Sequence, residues 1–125
     1  MNNKTGKIIG WVLTALVTIV FAASGLAKLA GGEAAAEIAL GVGGTTNVMI
    51  LGILELLIVV VFLIPKTAFV GLLLMIAYMG GAIAVHFINH QPLATVITIQ
   101  VLIWATGFFR FPEWSNRLLS NKATE

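Results

Sequence analysis

Residues 48–64 read Val-Met-Ile-Leu-Gly-Ile-Leu-Glu-Leu-Leu-Ile-Val-Val-Val-Phe-Leu-Ile, an apolar run whose single charge is Glu55. At about 1.5 Å per residue such a run crosses most of a bilayer's hydrocarbon core. Glu55 then lies roughly 10–12 Å below one end of its helix, out of easy reach of the headgroups. An ionisable group at that depth must be neutral, paired, or turned towards a polar cavity. This one carboxyl restricts the chain to a bundle that can shelter it.

Composition sets the class. The 125 residues are 59% hydrophobic and 10% charged, with a mean hydropathy of +1.04. A soluble domain carries about 25% charged residues, so this is a membrane composition. The length holds about four spans with short loops, which implies one all-α membrane domain over 1–125. Seven basic residues give a net charge of +2, but they sit at span ends and in the tails and form no basic face. Nucleic acid is therefore not an expected partner. With no cysteine, thiol chemistry, Cys-ligated zinc and iron–sulfur clusters are excluded.

The spans are predicted at about 8–30, 48–64, 67–88 and 93–109. Lys4 and Lys7 before an apolar run, with Ala22-Ala23-Ser24-Gly25 further on, resemble a signal peptide. The run is longer than such a region, however, and the reading is a retained first helix. Trp11 stands near its start, where an indole suits the interface. Gly31-Gly32 stops it. Glu33 to Leu40 reads as a short amphipathic segment, with Glu33 and Glu37 on one side and Ile38 and Leu40 on another. Gly41 and Gly43-Gly44 close that segment, and Thr45-Thr46-Asn47 supplies candidate caps for the next span. Pro65-Lys66 turns the chain tightly into the third span, where Gly71, Gly80-Gly81, Ala82 and Ala84 offer close helix packing. Asn89-His90-Gln91-Pro92 makes the next turn, with Pro92 suited to the first helical position. The fourth span carries Gln100, Trp104 and Gly107 along one stripe. It ends at Arg110 to Trp114, an interfacial aromatic anchor, before a polar tail at 115–125.

Lys4, Lys7, Lys66, Arg110, Arg117 and Lys122 all fall on one side of this arrangement, and only Lys28 falls on the other. Basic residues favour the cytoplasmic side, so both termini are expected there (N-in, C-in), in the inner membrane if the cell is bacterial.

Each span offers a polar side chain to the half of the bilayer away from the termini. Ser24, Glu55 and Gln100 lie roughly six to eight residues deep, Tyr78 about ten, and Lys28 and His86 about three. A bundle satisfies them together by turning them inward. The expectation is a pocket open to the outer face, floored by Glu55, Tyr78 and Gln100 and rimmed by Ser24, Lys28 and His86. Simpler roles stand beside this one. Glu55 can be a neutral structural carboxyl bonded across helices, and Lys28 can reach the headgroups or the Glu55 carboxylate. Tyr78, Gln100 and Trp104 can be interhelical packing groups, and Gly80-Gly81 reads as packing. His86 and His90, four apart, form a weak alternative pair of metal or haem ligands. There is no phosphate-binding glycine loop, no nucleophile with a base, and no pair of acidic residues within the spans.

The stretches Phe21-Ala-Ala-Ser-Gly-Leu-Ala-Lys28-Leu, Gly52-Ile-Leu-Glu55-Leu, Leu63-Ile-Pro65-Lys-Thr67-Ala and Gly80-Gly-Ala-Ile-Ala-Val-His86, in this order and spacing, resemble the DoxX-like membrane proteins. The resemblance runs from the first span to the fourth. It implies a four-helix membrane bundle with Ser24-Gly25, Lys28, Glu55 and His86 at its characteristic polar positions. It also implies that 33–44 is the family's amphipathic insert, here without the proline often found at its end. The family takes its name from a small subunit associated with an archaeal terminal quinol oxidase and thiosulfate:quinone oxidoreductase system, and some bacterial relatives are linked to redox or oxidative-stress partners. The implied role is thus an accessory or quinone-associated subunit of a membrane redox process rather than a stand-alone enzyme. In it Glu55 handles protons, His86 or Tyr78 bonds a quinone oxygen, and Lys28 tunes Glu55. The bilayer, a membrane or redox protein and further copies of the chain are the candidate partners. Two other readings are a proton-coupled permeation protein for a small solute, gated by Glu55, and a non-catalytic scaffold whose polar cluster fixes helix register.

Overall fold

A computed structural model describes residues 3–119. It shows α1 (Asn3–Ala30), α2 (Gly32–Val42), α3 (Thr45–Leu63), a 3-10 turn (Pro65–Thr67), α4 (Ala68–Ile88), α5 (Ala94–Arg110) and α6 (Pro112–Leu118), with no strand among the described residues. Lys122 and the last residues of the expected polar tail lie outside that range.

Glycine sets the first break. Gly31, Gly32, Gly43 and Gly44 all have positive φ (77°, 84°, 91° and 126°), conformations that side chains with a Cβ resist. Gly43 caps α2 in the left-handed region, and the amides of Gly43 and Gly44 both donate to the Ala39 carbonyl. The amphipathic segment is therefore longer than expected, and its faces differ. Ala35 and Ala39 are buried against Val48 of α3, and Leu40 points away at 88% exposure. The expected caps Thr45, Thr46 and Asn47 form the first turn of α3 instead, behind an N-cap at Gly44. Asn47 serves the other helix, donating from Nδ2 to the Val42 carbonyl at 2.7 Å.

The α3–α4 hairpin is as tight as predicted. Thr67 Oγ1 donates to the Val61 carbonyl at 2.7 Å, satisfying a group left open at the end of α3. Gly71 lies directly on the Phe62 backbone, where no side chain would fit. At the far end of α4, Asn89 Nδ2 donates to the Val85 carbonyl at 2.8 Å and His90 turns left-handed at φ 57°. Pro92 precedes α5 rather than opening it, because the helix starts at Ala94 behind Leu93.

Residues 112–118 are helical, so the expected anchor continues as a helix into the first residues of the expected tail, 115–118. Phe111 is extended and Pro112 begins α6, which leaves α5 at 109°. Trp114 consequently folds back on the bundle and packs edge-to-face with Phe69 and Trp104.

Helices α1, α3, α4 and α5 form the bundle. Around it α1 neighbours α3 and α5, and α4 neighbours the same two, so α1 and α4 face each other diagonally. Val17, Phe21, Phe62, Leu72, Met75 and Ile103 fill the centre. The outside is equally apolar, with Ile19, Leu57 and Val101 at 64%, 58% and 59% exposure. A surface of that kind belongs in lipid. Three helical stretches, Lys4–Ala30, Thr45–Leu63 and Pro65–Ile88, are long and apolar enough to span, and α5 with α6 makes a fourth if the bent pair counts as one. Inside these helices Thr14, Thr98 and Thr106 each return their hydroxyl to the carbonyl four residues back at 2.7 Å, so these polar groups reach no lipid unpartnered.

Candidate functional site

The site begins with two glycines. Gly25 of α1 and Gly52 of α3 meet so closely that a Cβ on either would press the carbonyl of the other. That approach brings the flanking side chains together. Ser24 and Lys28, one helical turn apart on α1, face Glu55, less than one turn beyond Gly52 on α3. Lys28 Nζ donates to Glu55 Oε1 at 2.5 Å and to Ser24 Oγ at 2.7 Å, and Ser24 Oγ donates to the same Glu55 oxygen at 3.1 Å. Glu55 is only 2% exposed, and the Lys28 side chain 12%. Helix α3 starts earlier than predicted, so Glu55 sits about 15 Å from its first residue, near mid-helix. A charge there is tolerated because its counter-charge and a hydroxyl share one oxygen.

Helix α4 supplies the opposite wall. Tyr78, held edge-to-face against Phe21 at 5.6 Å, stands close enough to interact with the Glu55 carboxylate. His86 Nδ1 lies 2.8 Å from the Ala82 carbonyl. A carbonyl only accepts, so Nδ1 carries the proton and Nε2 remains the accepting nitrogen of the neutral ring.

Between these walls is a cavity of about 440 Å³. Ser24, Lys28, Glu55, Tyr78 and His86 all line it, among apolar groups that include Val20, Phe21 and Leu51. Ile38 and Val42 of α2 line it as well. The expected opening at the end of the bundle is thus roofed: α2 crosses there, and Asn89 Nδ2 reaches the Gly41 carbonyl at 3.3 Å from the end of α4.

Three expectations are corrected by this geometry. Gln100 is not part of the lining; its Nε2 donates to the Ile76 carbonyl at 3.1 Å, towards α4, and its Oε1 is buried without a partner. Gly80 and Gly81 do not pack helices, since nothing lies within 4 Å of a Cβ at either. His90 lies beyond the end of α4 in a left-handed turn, so the helical spacing with His86 is lost. Among the described residues no three His, Cys, Asp or Glu side chains gather to hold a metal ion. The alignment of Gly25 with Gly52 and the roof formed by Ile38 and Val42 were missed by sequence reasoning. The glycine pair had a signal, because both residues adjoin the polar positions in the quoted motifs.

Fold and site together define a small helical membrane protein with an intramembrane ion pair set in the wall of a cavity. The chain belongs to the DoxX-like family, whose model matches residues 12–108. No curated protein and no solved structure matches it.

Proposed function

We propose that the cavity binds the head group of a quinone-class molecule and that the protein serves as an accessory subunit of a membrane redox process. The observation that carries this reading is an apolar-walled cavity holding a charge-neutral polar cluster. Lys28 and Glu55 cancel one another, so the site favours an uncharged ligand with hydrogen-bonding oxygens over an ion. Tyr78 and Lys28 offer donors to a carbonyl oxygen, and His86 Nε2 offers an acceptor to a hydroxyl. A volume of about 440 Å³ suits a single substituted ring. A bound quinone would supply two-electron, two-proton redox chemistry. The chain's own share is to bind and orient the ring and to hold a proton on or near the Glu55 carboxylate. In this reading the cavity lies in the outer half of the membrane with both termini in the cytoplasm, which the basic residues at the hairpin end support.

Purification in mild detergent, followed by an absorbance spectrum and extraction of bound small molecules, tests it. Quinone is expected with the wild type and should be lost in Glu55→Gln and His86→Ala at unchanged fold. A preparation carrying only phospholipid would sink the idea.

A second reading has one observation in its favour: Ser24, Lys28 and Glu55 already satisfy one another. A scaffold in which the triad only fixes the register of α1 on α3 needs no more than that. It predicts that a paired Lys28→Met, Glu55→Leu replacement is at least as stable as the wild type and keeps any partner association.

A further inference from the structure

The walls of the cavity are unequal. Between α1 and α3 the Gly25–Gly52 contact leaves no passage. Between α4 and α5 the Gln100–Ile76 hydrogen bond and the buried side chains of Met79 and Val96 close the seam. At the end of the bundle Ile38 and Val42 of α2 form the roof. The α3–α4 seam behaves differently along its length. It is shut at the hairpin end, where Gly71 rests on the Phe62 backbone. At the level of the cavity, Ala77 and Gly81 line the cavity and are also exposed on the outside of the bundle. Gly80 and Gly81 have open space where a side chain would stand. The antiparallel pair is therefore in backbone contact at the hairpin end, while at the depth of Glu55 and Tyr78 the cavity extends to Ala77 and Gly81 on the exposed flank of α4.

We infer that the cavity is reached sideways from the lipid, through the α3–α4 seam beneath α2, and that its ligand is a lipid-dissolved amphiphile. The head group carries hydrogen-bonding oxygens, and an apolar tail stays in the bilayer. This rests on the cavity being a ligand site and specifies how that site is reached. The chemistry of the rim agrees. Ala77, Gly81 and Leu51 present no polar atom beyond their backbone, and those backbone groups are bonded within helices, so a hydrated ion would meet no partner on the way in. A tailed molecule loses nothing there, because its tail remains in hydrocarbon and only its head enters. Glycine at 81 has a use here that packing does not supply, since a larger side chain would project into the passage.

The chain has no cysteine, so single-cysteine variants report access without background. Val85→Cys, in the cavity wall next to His86, would be placed in liposomes and treated with a lipid-soluble maleimide or with a charged, membrane-impermeant thiol reagent. Val20→Cys on the α1 wall serves as the second reporter should the first not fold, with circular dichroism and gel filtration as the check. The expected result is reaction with the lipid-soluble reagent, slowed at least tenfold when Gly81→Trp is added, and little reaction with the charged one. A Cβ at position 81 meets nothing within 4 Å, so the added side chain has room at its base; circular dichroism and gel filtration check that the Gly81→Trp fold persists. Equal labelling by the charged reagent, no labelling by the lipid-soluble one, or indifference to Gly81→Trp would each overturn the sideways route. None of these readouts needs a bound quinone, so a failure of the quinone reading is seen separately, in the extraction experiment.

Discussion

Glu55 Oε1 accepts two hydrogen bonds at once, one from the Lys28 ammonium and one from the Ser24 hydroxyl. Removing one member of a buried ion pair strands the other, which costs about 3–5 kcal/mol, whereas removing both leaves no charge behind. Lys28→Ala should therefore lower stability by about that amount in a detergent unfolding titration. The double variant Lys28→Met, Glu55→Leu should recover most of it. Equal losses in the single and the double variants would show that the pair is not coupled. At the hairpin end, the Arg110 guanidinium lies over the rings of Trp11, Phe62 and Phe111, 4.7–5.1 Å from their centroids. Each such contact is worth roughly 0.5–2 kcal/mol. Arg110→Lys keeps the charge but loses the planar stack, so it should destabilise by about 1–2 kcal/mol in the same titration.

Among the elements, glycine marks where helices touch and where they part. Gly52→Ala sets a methyl group against the Gly25 carbonyl and the Lys28 stem, and Gly71→Ala sets one into the Phe62 backbone. Overpacking of this kind costs typically about 1–3 kcal/mol. Both variants should fall in thermal stability, while Gly80→Ala, facing open space, should match or exceed the wild type. A stable Gly71→Ala would contradict the close hairpin contact.

These same positions show what the sequence could and could not reveal at this scale. Ser24, Lys28 and Glu55 were legible because an i, i+4 pair on one helix and a lone carboxyl on the next lie at compatible depths. Gln100 has a matching depth, but depth does not fix direction around a helix, and its amide turned to the Ile76 carbonyl. Gly80-Gly81 read as packing for the same reason: small residues license a close approach without compelling one. The roof was hidden because Leu40 and Ile38 look alike in composition, and only the anchoring of Ala35 and Ala39 on α3 decides which of them faces the cavity.

For the whole molecule, the apolar exterior and the membrane class follow directly from composition, and four of the six helices follow from run length. The 109° bend at Phe111-Pro112 does not, since an extended residue before proline reads equally as a helix end or a corner. The basic residues at the hairpin end predict a topology. Ala34→Cys on α2 should react with an impermeant reagent from outside the cell, and Lys66→Cys only from the cytoplasmic side. The reverse pattern would invert the bundle and place the cavity in the inner leaflet.

The most direct measurement of the central claim is equilibrium binding of a radiolabelled short-chain quinone to the protein in nanodiscs, with empty nanodiscs subtracted. Saturable binding near one quinone per chain, weakened at least tenfold in Glu55→Gln and unchanged in Gly80→Ala, is the predicted result. Uptake that never saturates and is the same for wild type and Glu55→Gln would contradict it, and would leave the triad as a structural clamp between α1 and α3.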